Sequence, residues 1–358
     1  MDNMTHKAVN LLKRLIAVPS ISRDETKASD LLLDYMQTDL QLPTQRDGNN
    51  LWSVTPLYDE AKPTLLLNAH IDTVKPVAAW TRDPFCPTLE DSPSSPGGRL
   101  YGLGSNDDGA SLVSLLHVYA SLCREPLPYN LVFLASAEEE VSGKNGVEHV
   151  LPLLPRIDVA LVGEPTGMQP AIAEKGLMVL DVTAHGKAGH AARNEGDNAI
   201  YHALDDMQWL RTWQWERVSD LLGPVKMSVT IVNAGTQHNV IPDTCTFTVD
   251  VRSNELYSNE ELYDEICRHL QSEVRARSFR LSSSRIDPDH PLVQRILSMG
   301  GQPFGSPTLS DQALMPFPSL KMGPGQSSRS HTADEYIEIK EIDEAIFFYR
   351  ELLAGFRF

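Results

Sequence analysis

No apolar run in this 358-residue chain approaches the roughly 18 residues of a membrane span, which excludes a helical membrane protein. The first residues, Met-Asp-Asn-Met-Thr-His-Lys, lack the basic segment and apolar stretch of a secretory signal. Cysteine is scarce: Cys86, Cys123, Cys245 and Cys267 show no paired spacing. That argues against a disulfide framework or a thiolate zinc site, and for reduced thiols in a cytoplasmic protein. Basic charge is also short. Asp and Glu number 48 against 31 Lys and Arg, a formal net charge of −17. Nucleic acid and anionic membrane partners, which need basic surfaces, are therefore not expected. Gly102-Leu103-Gly104 lacks the third glycine of a dinucleotide fingerprint. There is no internal repeat and no long low-complexity segment.

What is present is a normal apolar fraction, 41%, in a chain long enough for two domains. Helical periodicity marks residues 4–17, stopped by Pro19, and about 25–40. Leu51–Val54 reads as a short strand and Thr64–Leu67 as a buried one. The Pro-, Ser- and Gly-rich stretch 83–99 reads as a loop. A helix over 110–123, a strand over 130–136, a helix over 144–153 and a strand over 159–162 follow. This alternation is the signature of an α/β domain with a mixed, mostly parallel sheet flanked by helices. Near residue 175 the order changes to strand, helix (197–217), two strands (225–233 and 244–252) and helix (259–275). The chain is therefore read as a catalytic domain, 1–174 and 283–358, interrupted by an inserted α+β domain over 175–282. A last helix is expected over 340–354.

The chemistry gathers at strand ends. Asn68-Ala69-His70-Ile71-Asp72 closes one strand, Glu138-Glu139-Glu140 closes another, and Glu164 follows a third. Asp107 and Asp108 end a glycine-rich loop, and His331 follows a Gly-Pro-Gly turn. In open α/β sheets ligands bind beyond the carboxyl ends of the strands. Each residue also has an ordinary reading. His70 could be a hydrogen-bonded core histidine, and Asp107 a helix cap. The Glu triplet could be a solvated first turn. Glu164 and His331 could be surface residues. The coincidence of several such ends is what points to a site. Two imidazoles and three carboxylates without a thiolate suit borderline to hard divalent ions such as Zn2+, Co2+ or Mn2+. Five donors exceed the needs of one catalytic ion and suit two ions sharing a carboxylate.

These pieces, with Tyr101 to Gly109, Val162-Gly163-Glu164-Pro165-Thr166, Gly189-His190, Asn239-Val240-Ile241-Pro242 and Ser330-His331-Thr332-Ala333-Asp334-Glu335, resemble one family along nearly the whole chain. It is the co-catalytic zinc amidohydrolases, which include acetylornithine deacetylase, succinyl-diaminopimelate desuccinylase, aminoacylase and glutamate carboxypeptidases. The resemblance implies that His70 and Glu164 hold one zinc, Glu140 and His331 the other, and that Asp107 bridges them. The neighbouring Asp108 competes for that bridging role. Asp72 would orient His70, and Glu139 would act as general base. The inserted domain would be a lid and a homodimer contact. Its His190 would stabilise the oxyanion from across the dimer, unless the turn Gly186–Gly189 simply leaves it solvated. Asn239, Arg252 and Arg329 are the implied substrate contacts, although Arg252 could equally be a salt-bridged surface arginine. Leu103, Asp108-Gly109 and Glu138 depart from the family's usual Arg, Met-Lys and Asp, which marks a divergent branch.

The implied reaction is hydrolysis of the amide of an N-acyl amino acid. Asn-Ala-His-Ile-Asp-Thr-Val and Val-Gly-Glu-Pro-Thr look most like the acetylornithine deacetylase branch, which acts in arginine biosynthesis. N-acetylornithine, or an N-acetyl or N-succinyl citrulline or ornithine, is the expected substrate. Succinyl-diaminopimelate, a dipeptide or another aminoacylase substrate is the alternative. A catalytically silent module binding an amino-acid derivative is the remaining one.

Overall fold

The structure is a computed structural model that describes residues 3–193 and 195–358. The chain divides into two compact units. The first takes its described residues from Met1–Ile172, Ile286–Phe304 and Ser310–Phe358, and the second from Ala173–Arg285 and Gly305–Leu309. Sequence gave no sign of the return at Gly305–Leu309. There Ser306 O accepts the N–H of Lys175 at 3.1 Å, extending the second unit's backbone pairing.

The first unit is a mixed, mostly parallel α/β sheet flanked by helices. Thr64–His70 lies at its centre, parallel to Asn130–Ser136 on one side and to Val159–Val162 on the other. Ser319–Lys321 continues the parallel set beyond Val159–Val162. Asn50–Val54 and Thr44–Asp47 close one edge in antiparallel pairing. Every residue of Thr64–His70 and Asn130–Ser136 is buried. Parallel strands covered on both faces read this way, as continuous apolar runs rather than alternations. The helix Gly109–Leu122 is buried on nearly every side. In the last helix, Ile339–Gly355, Tyr349 Oη donates to Met322 O at 2.6 Å. The parallel strands point the same way, so His70, Glu138–Glu140, Glu164 and Gly323 leave the sheet along one edge.

Several sequence expectations change. The expected loop over 83–99 contains two strands, Thr88–Ser92 and Ser95–Tyr101, which pair with each other and, through Tyr101, with Tyr336–Glu338. Pro96, Gly97 and Gly98 hid them. A Cβ on Gly98 would stand 2.4 Å from Glu90 O, so close pairing requires glycine there. The helix expected over 144–153 is one α-turn, Val147–Val150, followed by the 3-10 turn Leu151–Leu153. The helix expected over 25–40 is α-helical over Thr26–Asp34 and then widens to a π-turn, Tyr35–Asp39.

The second unit is a four-stranded antiparallel sheet in the order Lys226–Ala234, Thr244–Arg252, Met178–His185, Glu273–Ala276. Met178, Leu180, Val182 and Ala184 alternate inward and meet Phe247, Val249 and Val251. The helices Ala199–Thr212 and Asn259–His269 cover that face with Ala203, Leu262 and Ile266. The helix expected to reach 275 stops at His269, and Glu273–Ala276 forms the edge strand instead. A capping box between Ser258 and Glu261 sets its start. Among the described residues no helix is long and apolar enough to cross a membrane.

Candidate metal centre

His70, the last residue of its strand, is 2% exposed. Its Nδ1 lies 2.9 Å from the main-chain carbonyl of Asp72. A carbonyl only accepts, so Nδ1 carries the proton and Nε2 is left as the donor atom for a cation. Nε2 faces Asp107 Oδ1 at 3.3 Å and Glu139 Oε2 at 3.9 Å. Asp72 meets His70 more closely through its backbone carbonyl than through its side chain. Its carboxylate, 3.5 Å from Nδ1, has other duties. It accepts the N–H of Glu139 at 2.9 Å, the N–H of Glu140 at 3.2 Å and the hydroxyl of Ser22 at 2.7 Å. Asp72 therefore fixes the peptide that carries the two glutamates.

Asp107 sits between the two histidines. One carboxylate oxygen faces His70, and the other lies 3.6 Å from His331 Nε2. Asp108 does not span them; it is buried, and burial pushes its pKa up to about 8. The glycine-rich loop is shaped around Glu335, whose carboxylate accepts the N–H groups of Gly104, Asn106 and Asp107 at 3.2, 2.8 and 2.9 Å. Gly104 takes a positive φ of 76°, and a Cβ there would stand 2.7 Å from Thr73 Cγ2.

The Glu triplet divides three ways. Glu138, at φ 56°, turns its carboxylate to Asn145 Nδ2 at 2.9 Å and is buried away from the histidines. Its N–H is held by Glu25, at 3.2 Å. Glu139 turns toward His70, and Glu140 pairs with His331 Nε2 at 2.9 Å. His70, Glu139 and Glu164 bring ligand atoms within 4.8 Å of one another, and so do His70, Asp107 and Glu140. The structure thus gathers His70, Asp107, Glu139, Glu140, Glu164 and His331, residues far apart in the chain. Of the ordinary readings, the solvated helical turn fails for the Glu triplet.

The electrostatics fit a cationic occupant. Burial raises the Glu139 and Glu164 pKa values well above the carboxylate range, and neighbouring acids raise them further. Burial lowers that of His70, but Asp107, Asp72 and Glu139 together raise it well above the imidazole range. Carboxylates forced together, and an imidazole held positive by them, are what a dication at the same atoms relieves. With two imidazoles, carboxylates and no thiolate, the donors fit two divalent ions.

Of the remaining expected residues, Arg329 belongs to the first unit and Arg252, His190 and Asn239 to the second. Arg329 is already neutralised by Glu341, at 2.7 Å, and stacks over Tyr336. Arg252 makes a two-pronged pair with Asp250, at 2.8 and 3.0 Å. Both guanidiniums are thus engaged within the chain. In the second unit, His190 and Asn239 adjoin each other. Gly189–His190 pairs with Val240–Ile241, and Asn239 O accepts the N–H of Ala191 at 3.0 Å. His190 is exposed, with Nδ1 accepting the N–H of Ala192 at 3.1 Å. Sequence reasoning passed over Ser22, Glu25, Asp311, Glu335 and Lys321. Asp311 is buried and accepts from Asn68 at 2.9 Å and Ser136 at 2.6 Å. Burial raises its pKa to about 6. Lys321 ends the short strand Ser319–Lys321, all of whose residues are buried.

An α/β sheet that collects imidazoles and carboxylates beyond its parallel strands defines a metallo-hydrolase. Residues 66–355 match the profile of peptidase family M20/M25/M40, and the chain belongs to that family. It is similar to the acetylornithine deacetylase of Proteus mirabilis strain HI4320, at 26% identity over 97% of this chain and 96% of that protein. The acetylornithine deacetylase of Pectobacterium carotovorum subsp. carotovorum strain PC1 is 28% identical over 97% and 96%. Among solved structures, the fold is similar to a tripeptidase from Staphylococcus aureus, with a TM-score of 0.76 at 19% identity, covering 98% of this chain and 97% of that one. It is also similar to a dinuclear metal-binding peptidase of the M20 family from Bacillus subtilis, with a TM-score of 0.72 at 17% identity and the same coverages.

Proposed function

We propose that the protein is a dinuclear deacylase that hydrolyses the amide of an N-acyl amino acid, N-acetylornithine or a close relative, in cytoplasmic arginine biosynthesis. The observation that carries the chemistry is the convergence of His70, Asp107, Glu140, Glu164 and His331 around Glu139. The full-length similarity to acetylornithine deacetylases supports the substrate class.

In this reading His70 and Glu164 would hold one cation and Glu140 and His331 the other, with Asp107 serving both. Zn2+ is the first choice, with Co2+ and Mn2+ as substitutes. Bound there, the pair would supply Lewis acidity toward a water and the substrate carbonyl. Glu139 takes a proton from the attacking water on its carboxylate and returns it to the leaving amine. Its buried, acid-crowded setting favours holding that proton between the two transfers. Asp72 keeps Glu139 aimed by clamping its N–H, and through its carbonyl keeps His70 in the tautomer that presents Nε2. His190 is assigned the oxyanion, across a homodimer. Asn239 is retained as a substrate contact. Arg252 and Arg329 could serve as carboxylate anchors only by releasing Asp250 and Glu341. The exposed Ile231 and Val232 on the edge strand Lys226–Ala234 support a dimer through the second unit.

Amine release from N-acetylornithine, N-acetylcitrulline, N-succinylornithine, N-succinylcitrulline, succinyl-diaminopimelate and one dipeptide tests the reading. Selective hydrolysis of an ornithine or citrulline derivative is expected. Preference for the diaminopimelate compound or the dipeptide would overturn the substrate class and keep the chemistry.

A further inference from the structure

His331 reaches the cradle from an exposed turn, with 54% of its side chain accessible, so burial does not hold it in place. The turn enters the left-handed region twice, at His331 (φ 58°) and at Asp334 (φ 54°). Residues other than glycine keep that conformation where surrounding contacts determine it. Asp334 supplies such contacts. One of its carboxylate oxygens accepts the N–H groups of Thr81 and Arg82 at 3.0 and 3.1 Å. The other accepts the Thr81 hydroxyl at 2.6 Å. The Arg82 guanidinium adds its charge, 3.7 Å from the same carboxylate. Thr81 and Asp334 are 253 residues apart in the chain, and both belong to the first unit.

The clasped segment is itself anchored. Arg82 stacks over Tyr101, 4.0 Å from the ring centroid, and Tyr101 lies opposite Tyr336 in the antiparallel pairing of Ser95–Tyr101 with Tyr336–Glu338. Segment 81–82 therefore rests on the strand pair that leads out of the turn. At the turn's other end Thr332 Oγ1 donates to Arg329 O at 2.8 Å, and Arg329 is tied to Glu341. His331 extends from between these two anchors to Glu140, at 2.9 Å, and toward Asp107, at 3.6 Å. The adjacent acids thus divide the work. Glu335 grips the loop that presents Asp107, and Asp334 grips the segment beside the turn that presents His331.

We propose that Asp334 is a positioning residue for His331: its clasp on Thr81 and Arg82 fixes the turn that carries the imidazole to the cradle. The inference rests on the dinuclear reading above. With the clasp released the imidazole is still present but no longer registered against Glu140. The cation position of Glu140 and His331 then weakens, while that of His70 and Glu164, set by the central strand and Asp72, does not.

The test is titration of the metal-stripped, full-length protein with Co2+, followed by visible absorbance and calorimetry, with amide hydrogen exchange over residues 74–87 measured before metal is added. The wild type should bind two ions, and His331→Ala should lose one of them, which assigns it. Asp334→Ala should weaken that same ion by about tenfold or more, leave the other within about twofold, and speed exchange at Thr81 and Arg82. In Asp334→Asn the side-chain oxygen can accept both N–H groups and the amide can donate to the Thr81 hydroxyl oxygen. This variant should bind both ions within about threefold of the wild type. Thr81→Val, which removes one bond of the clasp from outside the turn, should weaken the same ion by less than Asp334→Ala does. Unchanged binding of both ions in Asp334→Ala would overturn the proposal and leave the dinuclear reading standing. So would equal weakening of both ions, the mark of general damage, or no rescue by Asp334→Asn. Fewer than two ions bound by the wild type would overturn the dinuclear reading, and the proposal with it. Should Asp334→Ala lack a cooperative unfolding transition, Asp334→Gly, which suits the positive φ, is read by the same criteria.

Discussion

His70 and His331 address the same carboxylate, Asp107, from opposite surroundings. The His70 side chain is 2% exposed and locked by the Asp72 carbonyl, whereas that of His331 is 54% exposed, on a residue with φ 58°. One side of the cradle grows out of the central strand, and the other is delivered by a surface turn. Burial alone would rank the His70 side as the tighter cation position. Rigidity belongs to the His70 side.

The comparison can be broken most sharply at Glu139, which leans toward the buried side without being assigned as a ligand. Glu139→Gln should lower kcat by about 10²–10⁴-fold while metal content, measured on the purified protein, stays at the wild-type level. Loss of a cation with the activity would move Glu139 into the ligand set of the His70 side. Next come the histidines themselves. In metal-stripped protein, His70→Ala leaves the buried Asp72 carbonyl without its donor and should cost about 2–4 kcal/mol in urea unfolding. His331→Ala, at the exposed turn, should stay within about 1 kcal/mol. Equal losses would mean that the two sides do not differ in rigidity.

A last test probes a buried histidine outside the cradle. His117 donates from Nδ1 to Val113 O at 2.7 Å and meets the Tyr35 hydroxyl through Nε2 at 2.8 Å. Burial lowers its pKa to about 4. The folded state holds it neutral while the unfolded chain takes up a proton near pH 6.5. Its contribution is therefore present above pH 6.5 and is lost as pH falls toward 4. Stability should fall by about 2 kcal/mol between pH 7 and pH 5 from this residue, and His117→Phe should remove that part of the slope. An unchanged slope would show that the histidine is not held neutral.

The parallel strands and the acids at their ends were legible because buried parallel strands are uniformly apolar, so Leu65–Leu67 and Leu131–Leu134 stand out. The division of labour within Glu138–Glu140 was not. It depends on a positive φ at Glu138 and on the carboxylates of Glu25 and Asp72 reaching backbone N–H groups, and neither leaves a periodic trace. The strands Thr88–Ser92 and Ser95–Tyr101 were hidden because proline and glycine normally punctuate loops, while here glycine permits a close hairpin. For Arg252 the sequence leaves a carboxylate anchor and a salt-bridged surface arginine both open, and for Arg329 it suggests an anchor; only the fold brings Asp250 and Glu341 beside them.

The grip of Glu335 on the loop at 104–107 ties the site to the order in which the chain is made. Asp107 is synthesised early, yet the carboxylate that organises its loop arrives more than two hundred residues later, after the whole second unit. A nascent chain on the ribosome, or one cut short before residue 335, carries most of the donors but not the closed loop that presents Asp107. The loop that presents Asp107 can therefore close only after residue 335 has been made.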